Sequence, residues 1–268
     1  MGTFWLVLLG TVSGAGAGLL AGLIGIGGGI VIVPVVFYGL VEGGTPADQA
    51  AHVAVGTSLA AILPAALVSS VAHWRAGNTD VRFLRDWGPG IATGVVVAQL
   101  AAPHVRGSIL TGLFALLCLI FSARFGFPTR FRRIIERPPA GGFPIIAGSM
   151  IGLSSGLAGV GGGILTNIVM TLAGMPMHKS IGRAAAAGVV VSLPATFVAA
   201  LSPGFSGPMQ LGSIDLAMWA SIAPTQALAA WLGARLAQCI DADNLSRIMA
   251  VALLGTGAVM LCSSVISL

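Results

Sequence analysis

A chain of 268 residues, 56% of them hydrophobic and only 8% charged, cannot cover a water-soluble surface, because soluble domains carry roughly 25% charged residues. The composition fits a polytopic helical membrane protein, and the continuous, non-alternating apolar runs exclude a β-barrel. The net charge of +5 reads as a topology signal, since the basic residues cluster in short loops and no soluble basic face exists for a nucleic acid.

In chain order, apolar segments fall at 3–22, 28–41, 50–74, 87–103 and 108–126, then at 143–158, 162–174, 180–201, 214–237 and 244–267. The opening Met1-Gly-Thr-Phe-Trp5 lacks the positive start and cleavage site of a signal peptide, so the first segment is expected to be retained. Between the first two segments stands Gly22-Leu-Ile-Gly25-Ile-Gly27-Gly28-Gly29; between the sixth and seventh stands Gly156-Leu-Ala-Gly159-Val-Gly161-Gly162-Gly163. Glycine costs a helix about 1 kcal/mol relative to alanine, so runs this dense should break any helix they enter. No Lys-Ser/Thr follows either run and no strand–helix alternation surrounds it, which excludes a nucleotide loop. Within a membrane, irregular backbone survives only when buried in protein or lining a polar cavity.

The second five segments mirror the first five. Leu63-Pro64-Ala65 matches Leu193-Pro194-Ala195, Asp80 matches Asp215, Pro89 matches Pro224, and Leu110-Thr111 matches Leu245-Ser246. The expected organisation is a first membrane repeat over 1–126, a basic linker over 127–142 carrying Arg130, Arg132, Arg133 and Arg137, and a second membrane repeat over 143–268. If each glycine break crosses the bilayer once, the Lys and Arg residues divide between both sides. If each enters and returns, every Lys and Arg except Arg106 falls on one side, which the positive-inside rule makes cytoplasmic. The predicted fold is therefore an all-α integral membrane protein of two inverted repeats. Each repeat is a glycine-broken hairpin (or two short helices) plus three transmembrane helices, with the termini periplasmic and the linker cytoplasmic. Residues 28–41 would rise only about 21 Å as a helix, against a hydrocarbon core of about 30 Å. Short, glycine-interrupted apolar segments at corresponding places in two halves point to the substrate site of a transporter.

The stretches GLIGIGGGIVIVPVV (22–36) and GLAGVGGGILTNIVM (156–170) resemble the paired signature of the TauE/SafE family. These are the sulfite exporters and related anion permeases, also called the toluene sulfonate uptake permease family. Gly56-Thr57-Ser58-Leu59, the Gly77-Asn78-x-Asp80 turn and the basic linker resemble family features as well, and the likeness covers nearly the whole chain. It implies a secondary transporter of the bacterial inner membrane that moves sulfite, sulfonates, sulfoacetate or similar small anions, without selecting among them. Ala186-Ala187-Gly188 stands where Gly56-Thr57-Ser58 stood, so strictly symmetric polar sites are not expected.

Close packing of small residues would account for Gly14, Gly16, Gly18 and Gly22, but three adjacent glycines are not spaced for it. Gly25, Gly27, Gly28 and Gly29, with Gly159, Gly161, Gly162 and Gly163, are therefore the candidate substrate-binding backbone. Unwound, they would present N–H groups at the starts of two half-helices, where unpaired donors and the macrodipole attract anions. Such a site needs no buried arginine, which near the bilayer centre costs at least a few kcal/mol. Thr57, Ser58, Thr166 and Asn167 are the candidate side-chain donors. Thr57 and Ser58 have an alternative, the carbonyl four residues back. Asn167, one turn past the second run, is expected to contact substrate or gate. Pro64 and Pro194 free the carbonyls of Ala60 and Val190, as static kinks or as hinges for alternating access.

The remaining polar residues carry blander expectations. Asp80 and Asp215 read as helix N-caps. His178, Lys179 and Arg183 read as ordinary positive-inside residues, ahead of an anion vestibule. His52, His73 and His104 are expected at loops or helix ends, and Cys118, Cys239 and Cys262 have no metal spacing. No catalytic residue, metal or cofactor is expected, since paired carboxylates, His–Cys sets and HExxH are missing. The expected partners are a small anionic substrate and membrane lipids, without nucleic acid, and assembly into a homo-oligomer is compatible with the reading. The rival functions are a metal or other ion carrier and a lipid-phosphate-handling membrane protein.

Overall fold

The computed structural model describes residues 3–25, 27–126, 142–202 and 209–266. The arginines expected in the linker, at 130–137, lie outside the described residues. Among the described residues ten α-helices form: α1 Thr3–Ile24, α2 Gly29–Glu42, α3 Ala47–Arg75, α4 Val81–Ala101, α5 Gly107–Gly126, α6 Phe143–Ala158, α7 Gly163–Leu172, α8 Met177–Leu201, α9 Leu216–Leu236 and α10 Ala242–Ile266. A two-residue antiparallel ribbon precedes α9, β1 Gln210–Leu211 with β2 Ile214–Asp215, in which Gln210 faces Asp215. α1, α3, α5 and α8 each contain a stretch long and apolar enough to cross a membrane.

Helix starts follow from local chemistry. The Asp80 carboxylate accepts the Phe83 N–H at 2.7 Å and the Asp215 carboxylate accepts the Met218 N–H at 2.9 Å, so both act as the N-caps expected of them. Pro64 and Pro194 lie inside α3 and α8, and Pro89 and Pro224 inside α4 and α9.

Leu100, Phe197, Leu228 and Val251 point outward, while the interior mixes large side chains such as Ile30, Ile62 and Phe114 with many alanines, glycines and small hydroxyl residues. Lipid provides no hydrophobic drive between helices, so close backbone approach supplies the contact. α1 runs parallel along α9 through Gly10, Gly14, Gly18 and Gly22. A Cβ at Gly14, Gly18 or Gly22 would strike the carbonyl of Ile222, Gln226 or Ala230. α6 runs along α4 in the same manner through Gly148, Gly152 and Gly156, which face Trp87, Ile91 and Ala98. Packing thus accounts for Gly14, Gly18 and Gly22, but a Cβ at Gly16 would meet open space.

Two helix pairs, α3 with α8 and α5 with α10, lie antiparallel. On α3 and α8, Ala66 faces Gly188 while Ala60 clusters with Ala199. On α5 and α10, Cys118 lies beside Gly257 while the Ser122 hydroxyl donates to the Ala250 carbonyl at 2.8 Å. α1 and α2 fold back on each other, with Gly28 against the Ala17 carbonyl and Leu9 sharing a cavity with Gly39 and Glu42. The chain therefore approaches and leaves the first break from one end of the bundle. It treats the second break likewise from the other end, where Phe143 meets Trp87 edge-on and Met170 lies against Arg183.

Candidate functional site: the crossing of two broken helices

Gly25, Gly27 and Gly28 have φ of 73°, 77° and 78°, and Gly159 and Gly162 have 71° and 73°. This left-handed conformation costs L-residues with a Cβ roughly 1–2 kcal/mol each, so glycine decides where α1 and α6 stop. α2 then starts with the Val31 and Ile32 N–H groups both reaching the Gly28 carbonyl, at 3.1 and 3.3 Å. α7 starts with the Thr166 N–H on the Gly162 carbonyl at 3.1 Å.

The two breaks touch. A Cβ on Gly27 would lie 3.4 Å from the Gly161 Cα, and one on Gly29 would press on the Gly159 carbonyl. Ile62, from the middle of α3, wedges against both Gly27 and Gly161. α2 lies antiparallel to α3, with Gly29 near Ile62 and Val33 near Gly159 and Val55. α7 lies antiparallel to α8, with Gly162 at Val191 and Asn167 at Ser180. Because α3 and α8 oppose each other, α2 and α7 leave the crossing in opposite directions, with both N-termini turned toward it.

Each break strips helical partners from nearby carbonyls, and buried side chains replace them. His73 Nε2 donates to the Gly22 carbonyl at 3.1 Å, and Gln99 Nε2 donates to the Gly156 carbonyl at 2.8 Å. These two carbonyls occupy matching places in the glycine runs. Gln226 Nε2 donates to Gly27 O at 2.8 Å, and the Ser58 hydroxyl donates to Gly159 O at 3.0 Å. Asn167 donates to Ile24 O at 3.4 Å and accepts the Ser180 hydroxyl at 2.8 Å. The Thr57 hydroxyl accepts the Asp215 N–H at 2.9 Å.

Thr57 and Ser58 are thus bound across the bundle, not to carbonyls four residues back. His73 falls at a helix end as expected, in the last turn of α3, but it is buried there against the end of α1 and not exposed as a loop residue would be. Gln99 and Gln226 went unremarked in the sequence, although amides inside apolar helices are costly without a partner. The Thr166 hydroxyl and Gln226 Oε1 are buried without a hydrogen-bond partner among the described residues. Beside the second break, Val160, Gly162 and Cys118 help line a cavity of about 10 Å³, room for roughly one water. The two breaks are thus tightly packed against one another and their neighbours.

At the basic end, Arg183 pairs with Asp80 at 2.8 Å. Partial burial raises the Asp80 carboxyl, but the Phe83 N–H and the Arg183 guanidinium together outweigh it and hold the group below its usual range. Among the described residues, no three His, Cys, Asp or Glu side chains converge as a metal site.

Residues 10–260 match the profile of the family described as Sulfite exporter TauE/SafE. The chain belongs to that family. Among its relatives, a "Probable membrane transporter protein" of Haemophilus influenzae is 30% identical over 86% of this chain and 89% of its own length. Proteins of the same description from Methanocaldococcus jannaschii and Bacillus subtilis are 25% and 30% identical, over 61% and 62% of this chain and 61% and 66% of theirs. No solved structure matches significantly. As a TauE/SafE member with several apolar helices, the protein is a multi-pass membrane transporter and not an enzyme.

Proposed function

We propose that this TauE/SafE protein is a secondary transporter of the bacterial inner membrane for a small sulfur-containing anion, of the sulfite or organosulfonate class. The substrate binds where the two glycine breaks meet and is exposed to each side in turn. The observation that carries this is the contact of Gly27 with Gly161, at which the half-helices α2 and α7 both present their N-termini. Each such terminus carries about half a positive charge and N–H groups without intrahelical acceptors.

The surrounding bonds support an anion over a cation. Carbonyl oxygens would repel an anion and attract a cation, and here the carbonyls of Gly27 and Gly159 are already taken by Gln226 and Ser58. What remains at the crossing is donor-rich: the backbone of Gly27, Gly28, Gly29, Gly161 and Gly163, with the free hydroxyl of Thr166. The N–H groups of Gly25, Gly159 and Gly162 already donate to Ala21, Ser155 and Val160 and join only as the breaks rearrange. Thr57, Ser58 and Asn167 hold the walls of the site and gain substrate contact as it opens. The antiparallel pairing of α3 with α8 and of α5 with α10 supports two inverted repeats, 1–126 and 143–268, joined by a cytoplasmic linker. Pro64 and Pro194, inside the two helices that flank the crossing, act as its hinges.

Flux measured in proteoliposomes, with and without a pH gradient, tests the assignment. Sulfite or a small sulfonate should move saturably, and the same anions should raise the melting temperature of the purified protein, since a ligand of the native state stabilises it. Stabilisation by metal salts alone, with no anion flux, would overturn it.

A further inference from the structure

Away from the crossing, the last turns of α3 and α9 line an open cavity of about 540 Å³ at the basic end of the bundle. Two arginines line it, Arg75 and Arg235, together with Trp231 and the apolar residues Leu67 and Val71. The ion pair found among the described residues joins Arg183 to Asp80, so neither cavity arginine is matched by a carboxylate. Arg235 instead lies over the Trp231 ring, 3.7 Å from its centroid. Basic residues suit helix C-termini through the macrodipole, which explains their presence. It does not explain a cavity between them.

The order of residues along the two helices is informative. α3 and α9 run in parallel, as the bond from Asp215, at the start of α9, to Thr57, in the first half of α3, and the shared cavity near both helix ends establish. Leu67, Val71 and Arg75 are spaced by four on α3 and so share one face; Trp231 and Arg235 have the same spacing on α9. The charge sits at the helix ends, the indole beside it, and the apolar wall one to two turns deeper, about 12 Å from Leu67 to Arg75 along the axis. Leu67 and Val71 are 46% and 42% exposed, open toward the bilayer. A free oxyanion would need the arginines but not the wall. An amphiphile with a phosphate at one end and a hydrocarbon chain at the other needs both.

We infer that this cavity binds an anionic phospholipid, with its phosphodiester between Arg75 and Arg235 and one acyl chain along Leu67 and Val71. Basic pockets between transmembrane helices at a positively charged face suit such headgroups. The lipid bridges α3 and α9, which also supply His73 and Gln226, the braces of the first glycine break. It therefore clamps the two helices that hold that break. The inference stands on membrane embedding alone and not on the substrate assignment.

Native mass spectrometry of the delipidated, full-length protein tests it, with phosphatidylglycerol, cardiolipin or phosphatidylethanolamine added back. The anionic lipids should be retained at one tight site and phosphatidylethanolamine should not. R75A/R235A should weaken that retention about 25-fold, taking each basic side chain as worth roughly a factor of five near anionic headgroups. Val71→Trp, which fills the wall and spares both arginines, should also displace the lipid, whereas Arg247→Ala should not. Equal retention of phosphatidylethanolamine, undiminished retention in R75A/R235A, or displacement of the lipid from wild type by millimolar phosphate or sulfite would each overturn the proposal. The last result would mark a free-anion site. The wild-type arms need no variant to fold.

Discussion

The two glycine breaks share a sequence pattern but are held in different ways. At the first, three left-handed glycines separate α1 from a 14-residue α2, and imidazole and amide groups from His73, Gln226 and Asn167 occupy the carbonyls of Gly22, Gly27 and Ile24. At the second, two left-handed glycines separate α6 from a 10-residue α7, and Gln99 and the Ser58 hydroxyl occupy the carbonyls of Gly156 and Gly159. Glycine spacing sets where the chain breaks, and unmatched side chains from neighbouring helices set how firmly each break is held. The two breaks are therefore braced unequally.

The strongest way to break this comparison is to add bulk inside the breaks. Gly28→Leu would bring a Cβ within 2.6 Å of the Gln226 amide and 2.7 Å of the Ala17 carbonyl, whereas Gly162→Leu would meet the more yielding Val191 methyl at 2.7 Å. Both should reduce proteoliposome flux at least tenfold with membrane insertion intact, Gly28→Leu more severely. Near-normal transport by both would remove the crossing from consideration as the site.

A milder pair sharpens the comparison at matched positions in the glycine seams. Gly22→Ala would drive a methyl into the Ala230 backbone, whereas Gly156→Ala meets the side chains of Ala98 and Val95. Thermal unfolding in detergent should show a loss of about 1–3 kcal/mol for the first, as overpacking generally does, and a smaller loss for the second.

The braces come next. Gln226→Ala and Gln99→Ala each leave one buried carbonyl unpaired, at a cost of about 1–3 kcal/mol. Only Gln226→Ala should also change the transport rate, because Gly27 lies at the contact with Gly161. Equal effects of the two variants on flux would erase the distinction between the breaks.

The smallest effect is expected at the two capping aspartates, where the Asp80 carboxylate pairs with Arg183 while the Asp215 carboxylate caps α9 without an ion pair among the described residues. Asp80→Asn keeps a good N-cap and removes the ion pair. The carboxylate is half exposed, so the loss should stay below about 1 kcal/mol and shrink with salt. Since the Asp80 carboxyl is held below its usual range, its contribution is present above the ordinary aspartate value of about 3.9 and lost as pH falls through the lowered value. Melting curves of the two proteins should therefore converge in acid.

Most of the secondary structure was legible because it follows from local pattern. The segment expected at 28–41 is α2 at Gly29–Glu42, the one at 143–158 is α6, and both capping aspartates fall where local chemistry puts them. The breaks were legible because nothing but glycine takes that backbone so cheaply. The braces were not: Gln226 lies 199 residues from Gly27, Gln99 57 from Gly156, and His73 51 from Gly22. Only the three-dimensional arrangement reveals which carbonyl each one serves. The ribbon at 210–215 is too short to register as a pattern, and Gly16 shares its seam's composition while pointing away from it.

The exchange of partners between early and late helices bears on how the protein is made. The groove on α4 around Gly90 and Gly94 waits for α6, and the glycine face of α1 waits for α9, which leaves the ribosome some two hundred residues later. An emerging chain thus holds an unfilled surface in the bilayer until nearly the last span is inserted. Expressed as two separate polypeptides, residues 1–126 and 143–268 should each be degraded alone and rescued together.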